Sequence, residues 1–120
     1  MKKLGDQAEI KAIEYLKQQG YTIIDTNFKY GRFGEIDIIG KKEKKVYFFE
    51  VKYRKNDFFG IPEESITKAK KRKLFYSLEF YCLKNMIDRE NIEVHIITFL
   101  GDLSKKDCIV HHYKNVDIGF

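Results

Sequence analysis

GEIDIIGKKEKKVYFFEVKYR, residues 34–54, reads as two strands folded back on each other, with acids and bases where buried strands hold apolar side chains. Strand alternation sorts the second segment: Val46, Phe48, Glu50, Lys52 and Arg54 share one face, and Tyr47, Phe49, Val51 and Tyr53 share the other. In the first segment Glu35, Asp37 and Ile39 lie on one side, Ile36 and Ile38 on the opposite one. The polar run KKEKK between them, residues 41–45, reads as a hairpin connection. Pairing would bring opposite side chains to within about 4.5–5.5 Å at Cβ, so Asp37 and Glu50 could share one ion. Two carboxylates that close repel, and a hard divalent ion with oxygen ligands relieves the repulsion. Mg²⁺ is the expected ion, with Mn²⁺ as its substitute. Lys52 beside it could stabilise an anionic phosphate or orient an attacking water. The same residues also fit a hairpin whose polar face is merely solvated, and an isolated E-x-K is too common to decide.

A third carboxylate bears on the choice. Residues 5–19 read as a helix stopped by Gly20, and at about 100° per residue Leu4, Ala8, Ala12, Tyr15 and Leu16 form an apolar arc extended by Ile13. Glu9 falls inside that arc, whereas Glu14 falls on the polar side with Gln7, Lys11 and Gln18. A carboxylate on an inner helix edge is costly unless it snorkels out, pairs or binds something. Beside the strand acids, a shared site is the better reading of Glu9.

The remaining segments complete one mixed α/β domain over residues 1–120. YTIIDTNF reads as a strand and KYGRFG as a turn. NDFFGIP reads as a loop, with Pro62 in the first turn of a helix running to about Asn85. IEVHIITFLG and DCIVHHYK read as closing strands, giving the order αβββαββ. Tyr76 and Phe80, at helical spacing, read as core, while Phe58 and Phe59 in the loop could touch a substrate but more often pack.

Composition limits the function classes. The chain has 120 residues, 43% hydrophobic and 34% charged, with one proline, as in an ordinary globular domain rather than a disordered one. Neither a signal peptide nor a run of about 18 apolar residues is present, so no membrane association and a cytoplasmic location are expected. Cys82 and Cys108 suit free thiols, and with His95, His111 and His112 they lack zinc-ligand spacing. The net charge of +5 suits a polyanionic partner, and KAKKRK, residues 68–73, would give a helix a strong positive field.

The arrangement of a helix glutamate, an Asp on one strand and E-x-K on the next resembles the PD-(D/E)XK nuclease superfamily, with its restriction-endonuclease-like fold. GDQAEIKAIEYLKQQGYTIIDTNFKYGRFGEIDII, followed by FFEVKYR, FGIPEESI and ITKAKKRKL, is similar to the YraN family of uncharacterised, nuclease-like proteins. The likeness covers about residues 5–85, and the GEID…EVK pair is its specific part. Ile36 stands where the superfamily name has its proline.

The resemblance implies a three-layer α/β fold, with a mixed central sheet flanked by helices. It also implies a metal-dependent endonuclease acting on DNA phosphodiesters, with branched or otherwise structured DNA as a substrate by analogy. Asp37 and Glu50 would be metal ligands, joined by the Val51 backbone carbonyl. Lys52 would be the catalytic lysine and Glu9 the accessory carboxylate. Arg54, Lys70 and Lys73 would meet the substrate, the two lysines from one helix face; a plain solvated face explains them equally well. Glu35 belongs to the signature with its role open between ligation and orienting a neighbour. A homodimer would suit a junction substrate. The competing reading is a nucleic-acid-binding or scaffold module that keeps the site without turnover, with RNA as a lesser substrate option.

Overall fold

The structure, a computed structural model, describes residues 4–56 and 67–119. Helix α1 (Leu4–Gln18) precedes strands β1 (Thr22–Lys29), β2 (Glu35–Lys42) and β3 (Lys45–Arg54). Helix α2 (Lys68–Asn85) then leads into β4 (Ile92–Leu100) and β5 (Ile109–Tyr113). The order is the expected αβββαββ. One sheet runs β1-β2-β3-β4-β5 in space, antiparallel except between β3 and β4. Parallel neighbours need a crossover rather than a hairpin, and α2 lies in that crossover.

The two helices cover opposite faces of the sheet. Leu74, Leu78, Tyr81 and Cys82 of α2 pack on Ile36, Ile39, Val46, Phe48 and Val94. On the other face Ala8, Ala12 and Leu16 of α1 pack on Ile38, Phe49, Ile97 and Phe99. Phe48 and Phe49, adjacent in sequence and both fully buried, therefore enter different cores. The result is a helix–sheet–helix sandwich of three layers.

Alternation along β3 holds as read from the sequence, since Val46 and Phe48 face α2 while Tyr47, Phe49, Val51 and Tyr53 face α1. Ile36 departs from it, packing on the α2 side although Ile38 packs under α1. The pairing of β2 with β3 ends at Ile38–Phe49, so at Ile36 the strand is held through Phe28 of β1 alone.

Local signals set the element ends. At the end of α1 the Tyr21 N–H donates to the Leu16 carbonyl and the Gly20 N–H to that of Lys17, with Gly20 at φ +95°. This is the six-to-one and five-to-two closure that a left-handed glycine makes easy. Between β2 and β3 the KKEKK run contributes mostly to strands. Lys42 pairs with Lys45 across a two-residue turn in which Glu43 takes φ 57°.

Helix α2 starts later than Pro62 suggests: Thr67 is its N-cap, its hydroxyl accepting from the Lys70 N–H at 3.2 Å. Pro62, Phe58 and Phe59 lie outside the described residues. At its other end Met86, at φ 56°, takes the left-handed position without a glycine. Tyr76 and Phe80 are not core. They are 44% and 36% exposed, because α2 buries the stripe through Leu74, Ser77, Leu78, Tyr81 and Cys82 instead. Phe80 stacks on Tyr30, with ring centroids 4.2 Å apart. No helix among the described residues is long and apolar enough to cross a membrane.

Candidate active site

The acids gather where β2 and β3 part. Continuing the Ile38–Phe49 register by one step sets Asp37 opposite Glu50, but the backbone ladder has already stopped. Asp37 fills the gap with its side chain: Oδ2 accepts the Val51 N–H at 2.8 Å. A carboxylate thereby stands in for a strand carbonyl, which fixes its position at the end of the ladder. Glu9 reaches it from α1 and Glu35 from the start of β2, so that one carboxylate oxygen of each of the three lies within 4.8 Å of the others. Glu9, with the buried Ala8 and Ala12 on its helix, thus sits on the inner edge of α1 as the helical wheel placed it.

Glu50 is only 5% exposed and belongs to a second, cationic arrangement. Its Oε1 lies 2.7 Å from Lys70 Nζ and 3.7 Å from Lys52 Nζ. Lys70, expected to turn its charge toward a phosphate, is instead folded inward as the counter-ion of Glu50. Lys73 lines the same cavity of about 290 Å³, together with Gly34, Glu35, Glu50, Thr67 and Lys70. Gly34 closes this wall, since a Cβ there would stand 3.5 Å from the Lys73 Cβ. Arg54 lies four residues beyond Glu50, about 13 Å along an extended strand, and among the described residues it forms no ion pair. Larger cavities of about 400 and 350 Å³ lie on other surfaces, lined by residues such as Lys71 and Asp117 or Arg89 and Val116, and neither holds the acid cluster.

The electrostatics show a deficit of positive charge on one side only. Burial lifts the Asp37 carboxyl from its ordinary 3.8 to about 8, aided by the charge of Glu50 and, less, by Glu9 and Glu35; the Val51 amide pulls the other way. Burial lowers the Lys52 pKa, and its neighbour Lys70 lowers it further. For Lys70 burial also works downward, but the hydrogen bond and attraction to Glu50 outweigh it and raise the pKa. An all-oxygen set of three carboxylates with an under-compensated Asp37 fits a hard divalent cation of the Mg²⁺ or Mn²⁺ type. The residues that could hold it are Glu9, Glu35 and Asp37, with Glu50 one strand away.

A sequence model of Uncharacterised protein family UPF0102 matches residues 8–99, a span that takes in every one of these side chains. The chain belongs to this family. Similar members are UPF0102 proteins of Persephonella marina, 39% identical over 92% of this chain and 90% of the relative, and Clostridium tetani, 39% over 95% and 93%. A third, from Fusobacterium nucleatum, is 34% identical over 99% of this chain and 98% of its own.

In this UPF0102 chain two features escape sequence reasoning. Glu35, left open between two roles, converges with Glu9 and Asp37. Asn27 of β1 takes φ 52° within a strand. With its amide nitrogen turned inward it donates to Glu9 Oε2 at 3.1 Å and to Glu35 Oε1 at 2.5 Å. The available signal was an Asn amid β-branched and aromatic residues, since Asn is the side chain that most readily accepts a left-handed backbone after glycine.

Proposed function

We propose that this UPF0102 protein is a divalent-metal-dependent endonuclease that hydrolyses DNA phosphodiester bonds, with Mg²⁺ or Mn²⁺ as cofactor. The convergence of Glu9, Glu35 and Asp37 from a helix and a strand, beside the buried Glu50 and Lys52, carries this reading. A solvated hairpin face has no need to collect three carboxylates around an Asp held at about pKa 8. Asp37 and Glu50 are the ligands assigned from the family motif, with the Val51 carbonyl as a further oxygen; Glu9 and Glu35 complete the acid set. When bound, the ion would supply positive charge to the scissile phosphate and lower the pKa of a water.

The chain's own groups do the remaining work. Lys52, on the same face of β3 as Glu50, places an ammonium where a phosphate oxygen or an attacking water can be oriented. Lys73 offers a cation to a flanking phosphate in the cavity, and Arg54 extends that line along β3. The net charge of +5 adds a sequence-independent attraction to nucleic acid in the cytoplasm. Branched or otherwise structured DNA is the substrate form favoured by analogy, for which a symmetric homodimer would supply two sites.

A second reading, a nucleic-acid-binding or scaffold module without turnover, draws on the Glu50–Lys70 pair, which already neutralises one of the proposed ligands. Incubation of the purified protein with linear, single-stranded and junction DNA in Mg²⁺ or Mn²⁺ separates the two. Nicked or cut products that vanish on chelation are expected. DNA binding without any product, in the presence of either ion, would favour the module.

A further inference from the structure

We propose that Lys70 is the resident cation of Glu50 and gives up that place when a divalent ion enters the carboxylate cluster, its ammonium then facing the substrate phosphate. This rests on the metal-dependent reading above and adds an exchange of partners within the same site. A carboxylate as buried as Glu50 is too costly to keep charged without a cation at contact distance. The structure supplies one at 2.7 Å. The nearest alternative, Lys52 at 3.7 Å, approaches the same oxygen but does not replace it.

The two lysines differ in freedom. The Lys52 side chain is 21% exposed and is carried by the central strand of the sheet, two residues from Glu50. The Lys70 side chain is 42% exposed and extends from the first turn of α2, where Thr67 fixes the backbone but not the stem. Its long flexible chain allows the ammonium to leave Glu50 without any movement of the helix. Divalent charge arriving among Glu9, Glu35 and Asp37, beside Glu50, would repel that ammonium inside a poorly screened site. The nearest open space is the cavity it already lines with Lys73, Gly34 and Glu35. There the two lysines, one helical turn apart, present paired cations, and Lys70 becomes a substrate-positioning residue only after the ion is in place.

Exchange makes Lys70 a competitor of the metal, a property that a merely structural ion pair lacks. Calorimetry of the full chain with MnCl₂ is expected to show about tenfold tighter binding for Lys70→Met than for the wild type. The variant's affinity for a non-cleavable DNA in the presence of the ion should fall. An independent reading uses the unaltered protein: brief, sparse acetylation followed by peptide mass spectrometry. Mg²⁺ is expected to raise the modification of Lys70 several-fold while leaving Lys17 unchanged. Equal Mn²⁺ affinity in wild type and variant, or Lys70 reactivity indifferent to Mg²⁺ in a protein that binds the ion, would overturn the exchange and leave the metal site standing. Absence of Mn²⁺ binding in both proteins would overturn the metal site and the exchange together.

Discussion

Asp37→Asn is expected to cut no DNA and yet, without metal, to be more stable than the wild type. Asn keeps an oxygen to accept the Val51 N–H, so the end of the β2–β3 ladder survives. What disappears is a carboxylate that burial and Glu50 disfavour in the native state. The gain should be a few kcal/mol near pH 8, or an upward shift of roughly 10 °C or more in melting temperature for a domain of this size. The sign follows from linkage. A carboxyl whose pKa rises from 3.8 unfolded to about 8 folded contributes stability that is complete below pH 4 and is lost as pH climbs through 8.

Urea unfolding at pH 5, 7 and 8.5 should therefore show the gap between variant and wild type widening with pH. His112, pushed down to about 4 by burial and by His95, works in the opposite direction, its contribution being lost as pH falls from 6.5. Both proteins share it, so it cancels in the difference. Because binding of an ion must displace the Asp37 proton, Mn²⁺ affinity in the wild type should rise as pH approaches 8. A gap independent of pH would refute the burial-driven shift.

Lys52→Ala is expected to lower cleavage by about 10²–10³-fold, the usual cost of removing one preorganised group that stabilises charge in a transition state. Mn²⁺ binding should persist, because the carboxylates remain and Lys70 still neutralises Glu50 in the ion-free protein. Folding should persist for the same reason: the buried Glu50 keeps its contact at 2.7 Å. Cleavage within about threefold of wild type, measured at saturating Mn²⁺, would remove Lys52 from the chemistry and leave the acids to act alone.

The fold was legible because its signals are local. Alternation along Val46–Tyr53 assigned both faces of the central strand, and Gly20 marked the end of α1. The site was half legible. Asp37 and Glu50 read as acids of one hairpin, but the polar run at Lys41–Lys45 does not fix their register, which the two-residue turn between Lys42 and Lys45 sets. Glu9 announced itself as an acid within an apolar arc. Other features depend on tertiary placement, which no periodicity encodes. Glu35 joins the cluster because α1 docks over the start of β2, and Asn27 can bridge Glu9 and Glu35 only from a left-handed backbone in mid-strand. Lys70 turns inward because Glu50 is buried and has to be paired. The exposure of Tyr76 and Phe80 was hidden by composition: α2 is rich in aromatics on several sides, and only its contact with the sheet shows which stripe is buried.

The central claim, that these acids form a metal site, is tested most directly by crystals of the full chain soaked in Mn²⁺ at about pH 8 and measured at the manganese absorption edge. Anomalous density bounded by Glu9, Glu35, Asp37 and Glu50, with the Lys70 ammonium withdrawn from Glu50, is the expected result. Crystals that show no manganese among these carboxylates, with Lys70 still 2.7 Å from Glu50, would contradict it.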